Sequence, residues 1–259
     1  MRTKDFKSDF YLLLDKFKNK ENFSFLRFSD GEMYILQNKG IVLSGNQVKV
    51  DGVVDTHGPG HPQYDSKLFD PNHHSQFRDY LVASFLHSQP NYFKGISCQC
   101  CVGKDNFDWQ IENLGGDDDN LTWANLLVNS NYSLFMEEFY PEIKNRGAYV
   151  ICNEAADLSH LDWVKGIFTV KSDIFDNFAT YTSQLKSFIE ENNIENEVFL
   201  FSASSLSNIA QYALAQSHPN NTYIDIGTGL SYEFKIPSKR GYLDQYYSNQ
   251  PVTGYCIWN

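Results

Sequence analysis

The second half of the chain alternates between short apolar runs and longer segments in which apolar residues recur at helical spacing. The apolar runs predict strands at Ala148–Cys152, Ile167–Val170, Val198–Phe201 and Thr222–Ile226. The segments Asn177–Glu191 and Leu206–Gln216 predict amphipathic helices. Strands that alternate with helices are typical of an α/β fold, in which helices cover both faces of a mostly parallel sheet.

The first half begins with the same alternation. A helix is predicted over residues 5–19, followed by a buried strand from Phe23 to Phe28 and the first turns of a helix from Gly31 to Gln37. The other elements predicted in this half are helices at Gln76–Leu86, Leu121–Val128 and Tyr132–Lys144, and a strand at Tyr92–Cys98. No repeat or low-complexity linker interrupts the pattern, so we expect one domain over residues 1–259.

Residues 40–74 break this alternation. The segment contains five glycines, three prolines and four histidines, a composition that predicts a long loop or hairpin insertion. We interpret His57, His61, His73 and His74 as exposed loop residues rather than a transition-metal site, because long flexible stretches separate the pairs. The position of the segment just after the first strand and helix favours a role in shaping a binding pocket at that end of the strand.

The charge balance excludes one class of partner. The 259 residues include 21 Lys and Arg against 32 Asp and Glu, a formal net charge of −11, and no run rich in Lys or Arg. Nucleic-acid binding requires a positive surface, so DNA and RNA are excluded as main partners. An acidic protein that binds an anionic substrate must neutralise it locally, and a bound cation commonly does so.

Hydropathy and cysteine content predict a cytoplasmic protein with at most peripheral membrane contact. No apolar stretch reaches the roughly 18 residues of a membrane span, and the first residues are too polar for a signal peptide. Five cysteines, three of them in Cys98-Gln99-Cys100-Cys101, form a poor disulfide framework. We interpret that triplet as a buried strand end with small thiols, and as a weak zinc motif.

Three polar turns follow predicted strands: Ser29–Glu32, Ser202–Ser205 and Asp225–Gly229. In parallel sheets, ligands bind beyond the carboxyl ends of the strands, so these turns predict a site. Asp30 and Glu32, on either side of Gly31, offer the oxygen ligands that Mg²⁺ or Mn²⁺ prefers, and Arg27 is a candidate phosphate contact. The alternative is that the two acids only stabilise the first turn of a helix.

The string Arg27-Phe28-Ser29-Asp30-Gly31-Glu32 resembles the Arg-x-Gly-Asp-Gly-Glu signature of bacterial GT-D-type glycosyltransferases, formerly a domain of unknown function. The resemblance implies a Rossmann-like fold and a Mn²⁺ or Mg²⁺ ion at Asp30 and Glu32. It also implies a nucleotide-sugar donor, commonly a UDP-sugar, with Arg27, Ser29 and Gly31 at the donor site. Ser29 replaces the usual glycine, and Ser202–Ser205 replaces a turn in which relatives tend to have glycine and proline.

The resemblance extends more loosely to Phe199–Gly229, which is similar to the family's late unit and closes on Asp225-Ile226-Gly227. We expect Ser204, Ser205 and Gly227 to contact the donor, although serines also serve as helix caps. Asp225 is the candidate catalytic base, or a ligand of a ribose or sugar hydroxyl. Lys239 and Arg240 are expected either to close over the diphosphate as a lid or to lie in a solvated loop.

Two alternatives remain open. The string Asp225–Gly229 also resembles the glycine-rich motif of S-adenosylmethionine-dependent methyltransferases, with Asp244 standing 19 positions later. Only 30 residues follow Gly229, too few for further strand–helix units unless the fold is permuted. The second alternative is a non-catalytic nucleotide-sugar-binding protein.

Overall fold

The computed structural model describes residues 5–44, 47–55, 67–114 and 119–253. The strands are β1 (Ser24–Phe28), β2 (Ile41–Ser44), β3 (Gln47–Val50), β4 (Val53–Asp55), β5 (Lys67–Phe69), β6 (Tyr92–Ile96), β7 (Leu121–Trp123), β8 (Ala148–Asn153), β9 (Val164–Val170), β10 (Val198–Ser202) and β11 (Thr222–Asp225). The α-helices are α1 (Phe6–Lys18), α2 (Asp30–Leu36), α3 (Ser75–Leu86), α4 (Gln99–Val102), α5 (Lys104–Asn113), α6 (Tyr132–Leu134), α7 (Tyr140–Arg146), α8 (Ile174–Glu191), α9 (Leu206–Ser217) and α10 (Gly241–Tyr247). A 3₁₀ turn (Asn129–Asn131) and a π-helical turn (Phe135–Phe139) flank α6.

Seven strands form one parallel sheet in the order β7-β6-β1-β11-β10-β8-β9. Successive residues of its central strands pack into two separate hydrophobic clusters, as Leu200 and Phe201 of β10 do. One cluster contains apolar residues of α1, α7 and α10, and the other contains those of α2, α3, α8 and α9. Helices therefore cover both faces, which confirms the predicted fold class.

Within residues 40–74, the described part forms a second, antiparallel sheet in the order β4-β3-β2-β5. Ile41, Leu43 and Phe69 of this small sheet are buried, whereas Val42 and Leu68, paired across β2 and β5, point to solvent. The insertion is thus a four-stranded sheet where we expected a loop or one hairpin. Its central histidines, His57 and His61, lie outside the described residues.

The predicted helix at Leu121–Val128 is wrong. Leu121–Trp123 is strand β7, which pairs with β6, and turns follow it. A short apolar run fits a buried strand and a buried helix equally well, and only its partner strand distinguishes them. The interpretation of the cysteine triplet is also wrong in part, because β6 ends at Ile96 and both Cys100 and Cys101 are exposed on α4.

One junction in the sheet opens towards its carboxyl edge. β1 pairs with β6 over five positions, but with β11 over only two, Ser24 with Tyr223 and Phe25 with Ile224. The last three residues of β1 therefore leave the β1–β11 ladder. All seven strands end at the same edge, so the turns that begin at Ser29 and Ile226 lie on either side of this opening.

Candidate active site

Arg27 occupies the opening between β1 and β11. Its side chain is 11% exposed, its Nε donates a hydrogen bond to the carbonyl of Ala124, and its Nη1 lies 3.9 Å from Oδ1 of Asp225. On the backbone side, the Asn208 amide donates to the carbonyl of Arg27 at 3.0 Å, in place of a strand partner. The contacts with Ala124 and Asp225 therefore fix the position of the guanidinium, which is a permanent positive charge beside the Asp225 carboxyl.

Asp225, the last residue of β11, is buried with a side chain that is 8% exposed. Burial raises the pKa of its carboxyl to about 7, and the neighbouring Glu32 carboxylate adds to this effect. The Arg27 guanidinium and a 2.8 Å hydrogen bond from the Gly227 N–H oppose it. The carboxyl of Asp225 is thus able to take up and release a proton near neutral pH.

Gly227 lies directly against the Arg27 side chain. Its φ of +51° is in the left-handed region, and a Cβ at this position would lie 1.7 Å from Nη1 of Arg27. Glycine is thus required both by the backbone conformation and by the close approach of the guanidinium.

We expect Gly227→Ala to lower the free energy of unfolding by about 1–3 kcal/mol, through strain and displacement of Arg27. Gly31→Ala is the matched control, because Gly31 lies in helix α2 and a Cβ there would meet no atom within 4 Å. It should raise stability by up to about 1 kcal/mol. Urea denaturation of both variants measures the difference, and equal stabilities would contradict the packing of Arg27 against Gly227.

Asp30 and Glu32 open helix α2 in two different environments. Asp30, the first residue of the helix, is exposed, and its carboxylate makes no hydrogen bond or ion pair with the described residues. Glu32 is buried, and its two carboxylate oxygens accept hydrogen bonds from the Ser29 N–H at 3.0 Å and the Ser205 hydroxyl at 2.7 Å. Glu32 therefore caps its own helix and joins it to the start of α9.

Ser205 is the buried partner in that contact, with only 3% of its surface exposed. Ser205→Ala should cost about 1–3 kcal/mol of stability, because a buried carboxylate loses a donor that no water replaces easily. Ser202→Ala is a suitable control, since the Ser202 hydroxyl donates to a neutral carbonyl, that of Gly227, at 2.7 Å and is less buried. Thermal unfolding compares the two; a loss for Ser202→Ala as large as for Ser205→Ala would argue against a special role for the Glu32 contact.

The turn before α9 and the first turns of that helix line the other side of the opening. Ser204 adopts a φ of +53°, and its carbonyl accepts a hydrogen bond from the Ser207 N–H at 2.8 Å. Further along α9, the Gln211 amide, oriented to satisfy its neighbours, donates to the carbonyls of Phe25 and Tyr223 and accepts from the Asp225 N–H. Helix α9 thus hydrogen-bonds, through Asn208 and Gln211, to the backbone of β1 and β11 where their ladder ends.

The chain that follows β11 contributes polar side chains beside the same opening between β1 and β11. The Thr228 and Tyr242 hydroxyls are 2.7 Å apart, and Tyr242 is buried on α10 against the ring of Tyr132. Burial raises the pKa of the Tyr242 hydroxyl, while Thr228 and the positive charges of Arg240 and Arg27 oppose this increase. Arg240 is the N-cap residue of α10, and Lys239 beside it is exposed.

The donor groups present fit a divalent metal ion at the start of α2. Asp30 offers a carboxylate open to solvent, and Glu32 is a second carboxylate already oriented by two hydrogen bonds, as ligating carboxylates commonly are. Both are oxygen donors, which Mg²⁺ and Mn²⁺ prefer. The oxygens of Asp30, Glu32 and Asp225 do not all lie within 4.8 Å of one another, so we infer at most two protein ligands from this set.

A second group of possible ligands, His73, His74 and Asp176, joins the start of α3 to the first turn of α8. The Nε2 atoms of both histidines are 3.3 Å from the same Asp176 oxygen. However, Nδ1 of His74 accepts a hydrogen bond from the Asp70 N–H at 2.9 Å, so its ring proton is on Nε2. A metal at Nε2 would require that proton on Nδ1, facing another donor. His73 is exposed as expected, whereas His74 is buried and serves as a structural contact.

Sequence reasoning missed three contributors to the site: Ala124, Asn208 and Gln211. The first acts through its backbone carbonyl, which no side-chain pattern reveals. The other two are amides on the buried face of α9. Their positions in the helical pattern are ones that apolar residues usually occupy, and this departure could have identified them from the sequence.

Comparison with known proteins extends this description. No protein-family model and no curated protein matches the chain. Two solved structures do match, each over 95% of this chain and 82% of its own length, with 11% identity and a TM-score of 0.56. Both are structures of domain of unknown function 1792, one selenomethionine-substituted and the other described as highly conserved with a distinct glycosyltransferase fold. The resemblance is thereby confirmed at the level of the fold.

Proposed function

We propose that this chain, which shares the fold of domain of unknown function 1792, is a metal-dependent glycosyltransferase. It transfers a sugar from a nucleoside diphosphate, in the first instance UDP, to a hydroxyl of a glycan or glycoconjugate. The observation that carries the proposal is the opening between β1 and β11, where Asp225 and Arg27 lie beside the turn that bears Asp30 and Glu32.

In this proposal Asp30 and Glu32 hold Mn²⁺ or Mg²⁺, an ion that neutralises charge on the leaving diphosphate. The Arg27 guanidinium does not move to bind the donor, because it is already hydrogen-bonded to the carbonyl of Ala124 and paired with Asp225. Its role is to hold the Asp225 carboxyl in position and to add positive potential, rather than to reach out to phosphate. Gly31 and Ser29 bring the backbone of the first turn of α2 close to the donor.

Asp225 acts as the general base that takes a proton from the acceptor hydroxyl. A pKa of about 7 is suited to this role near neutral pH, since the group is then half deprotonated and still basic enough to accept a proton. The Gly227 N–H holds the Asp225 carboxyl, and Ser205 orients Glu32 on the metal side. Ser204, in the turn before α9, is proposed to contact the donor. Arg240 at the start of α10 and the exposed Lys239 beside it supply further positive charge to neutralise a bound diphosphate.

The methyltransferase alternative finds less support. The acidic residue that it requires belongs at the end of the next strand, where it binds a ribose. Here Asp244 lies in helix α10, and its carboxylate accepts a hydrogen bond from the Tyr232 hydroxyl at 2.8 Å. The Asp225–Gly229 turn instead faces Arg27, a contact that suits an anionic donor better than a cationic sulfonium.

A panel of nucleotide-sugars tests the proposal. Thermal shift and release of the nucleoside diphosphate are measured with Mn²⁺, with Mg²⁺ and with chelator, and S-adenosylmethionine is included. We expect one nucleotide-sugar to stabilise the protein only with metal and to be slowly hydrolysed without acceptor. Binding without any hydrolysis or transfer would support the non-catalytic alternative, and a response to S-adenosylmethionine alone would overturn the proposal.

A further inference from the structure

Three thiols lie together at the carboxyl end of β6, next to β1. The sulfurs of Cys98, Cys100 and Cys101, here called the thiol cluster, are all within 4.8 Å of one another, and those of Cys98 and Cys100 are 2.9 Å apart. Cys98 is buried, whereas Cys100 and Cys101 are exposed on α4, so the cluster is fixed on one side and open to solvent on the other.

A buried amide faces two of these sulfurs. The Asn125 Nδ2 lies 3.7 Å from the sulfur of Cys98 and 3.6 Å from that of Cys101, within the range of N–H···S hydrogen bonds. Asn125 is 9% exposed and follows β7, the strand beside β6. An N–H donor directed at sulfur stabilises the thiolate relative to the thiol, which is the form that binds metals.

We propose that the thiol cluster binds a thiophilic cation of the Zn²⁺ class through three thiolates, with Asn125 as the outer partner that orients them. Sulfurs less than 4.8 Å apart can converge on one ion at the roughly 2.3 Å of a zinc–sulfur bond, provided that the Cys98 and Cys100 sulfurs separate to the roughly 3.8 Å of a tetrahedral site. Each ligating thiol loses its proton to solvent as its bond to the metal forms. The fourth position stays open on the exposed side.

The site differs in chemistry from the proposed one at α2. Thiolates select soft or borderline cations, whereas the carboxylates of Asp30 and Glu32 select Mg²⁺ or Mn²⁺. The two places are nevertheless connected, because the residue before Asn125 is Ala124, whose carbonyl accepts the hydrogen bond from Arg27. An ion in the thiol cluster would therefore hold the turn that anchors Arg27.

Cadmium titration of the fully reduced, full-length protein tests the proposal. Thiolates bound to Cd²⁺ absorb in the ultraviolet through charge transfer, and carboxylate or histidine sites do not produce this band. We expect one Cd²⁺ per chain with a three-thiolate intensity, displaced by Zn²⁺ and insensitive to Mg²⁺. Asn125→Ala should weaken Cd²⁺ binding roughly 10- to 100-fold without changing the number of thiolates.

The matched control is Cys152, a buried cysteine on β8 whose thiol pKa is raised to about 11 by burial. Cys152→Ala should keep the full band, and the triple Cys98→Ser/Cys100→Ser/Cys101→Ser variant, with its fold checked by circular dichroism, should lose it. A band that persists in the triple variant, or no band in the reduced wild type, would overturn the proposal. Neither result depends on whether the protein transfers a sugar.

Discussion

Replacing Asp30 by alanine is expected to lower metal-dependent turnover of the nucleotide-sugar roughly 100- to 1000-fold, because the site loses its exposed metal ligand. Stability should change little, by about 0.5 kcal/mol or less, since the side chain is exposed and its carboxylate makes no hydrogen bond or ion pair with the described residues. Donor hydrolysis as a function of Mn²⁺ concentration, together with thermal unfolding, measures both quantities.

Asp105 provides the matched control for Asp30. It is also an exposed acid in the first turn of a helix, α5, so Asp105→Ala removes the same favourable interaction with a helix dipole. Turnover of this variant should equal that of the wild type. If Asp30→Ala retains full turnover at low Mn²⁺, the acid pair is only a helix start, and the metal site must be sought elsewhere.

The second large effect is expected at Asp225. The wild-type kcat/KM should rise with pH as the buried carboxyl loses its proton and becomes a base, at a pH below the metal-free value of about 7 because a cation at Glu32 lowers the pKa of Asp225. Asp225→Asn should remove this rise and lower kcat/KM by roughly 10²- to 10⁴-fold, the usual contribution of a general base. Diphosphate release with acceptor present, followed across neutral pH, measures this profile.

The same carboxyl makes folding depend on pH in a defined direction. Its pKa is about 7 in the folded protein against an ordinary value of 3.8, so between these values the folded chain keeps a proton that the unfolded chain has released. The contribution of this carboxyl to the free energy of unfolding is therefore largest below pH 4 and decreases as the pH rises to 7. The difference between the two pKa values corresponds to a decrease in the free energy of unfolding of at most about 4 kcal/mol.

Asp225→Asn should flatten this dependence, because asparagine does not titrate. Urea denaturation at several pH values between 4 and 8 compares it with wild type and with Asp244→Asn, an acid on the surface of α10. Near-normal turnover of Asp225→Asn with a flattened stability profile would leave Asp225 as a buried structural acid. An unchanged stability profile would contradict its raised pKa.

Much of the local structure follows from the sequence. Helix α8 has a clear helical periodicity, and strand β10 is a short apolar run between polar segments; the observed bounds of both differ from the predicted ones by few residues. The Ser29–Glu32 turn is likewise a local signal, since a cap and an acid three residues later define a helix start wherever it occurs. The parallel sheet follows from the alternation of strands and helices.

Which strands become neighbours is decided only by tertiary structure. β1 and β11 lie almost 200 residues apart in sequence, and no local pattern predicts that their ladder stops after two pairs. The approach of Arg27 to Asp225 and of Ser205 to Glu32 depends on that strand order. The sequence therefore determined the elements and the acid pair, because these depend on neighbouring residues. The long-range burial that orders the sheet decided which polar groups share the opening, including the amides of α9 and the carbonyl of Ala124.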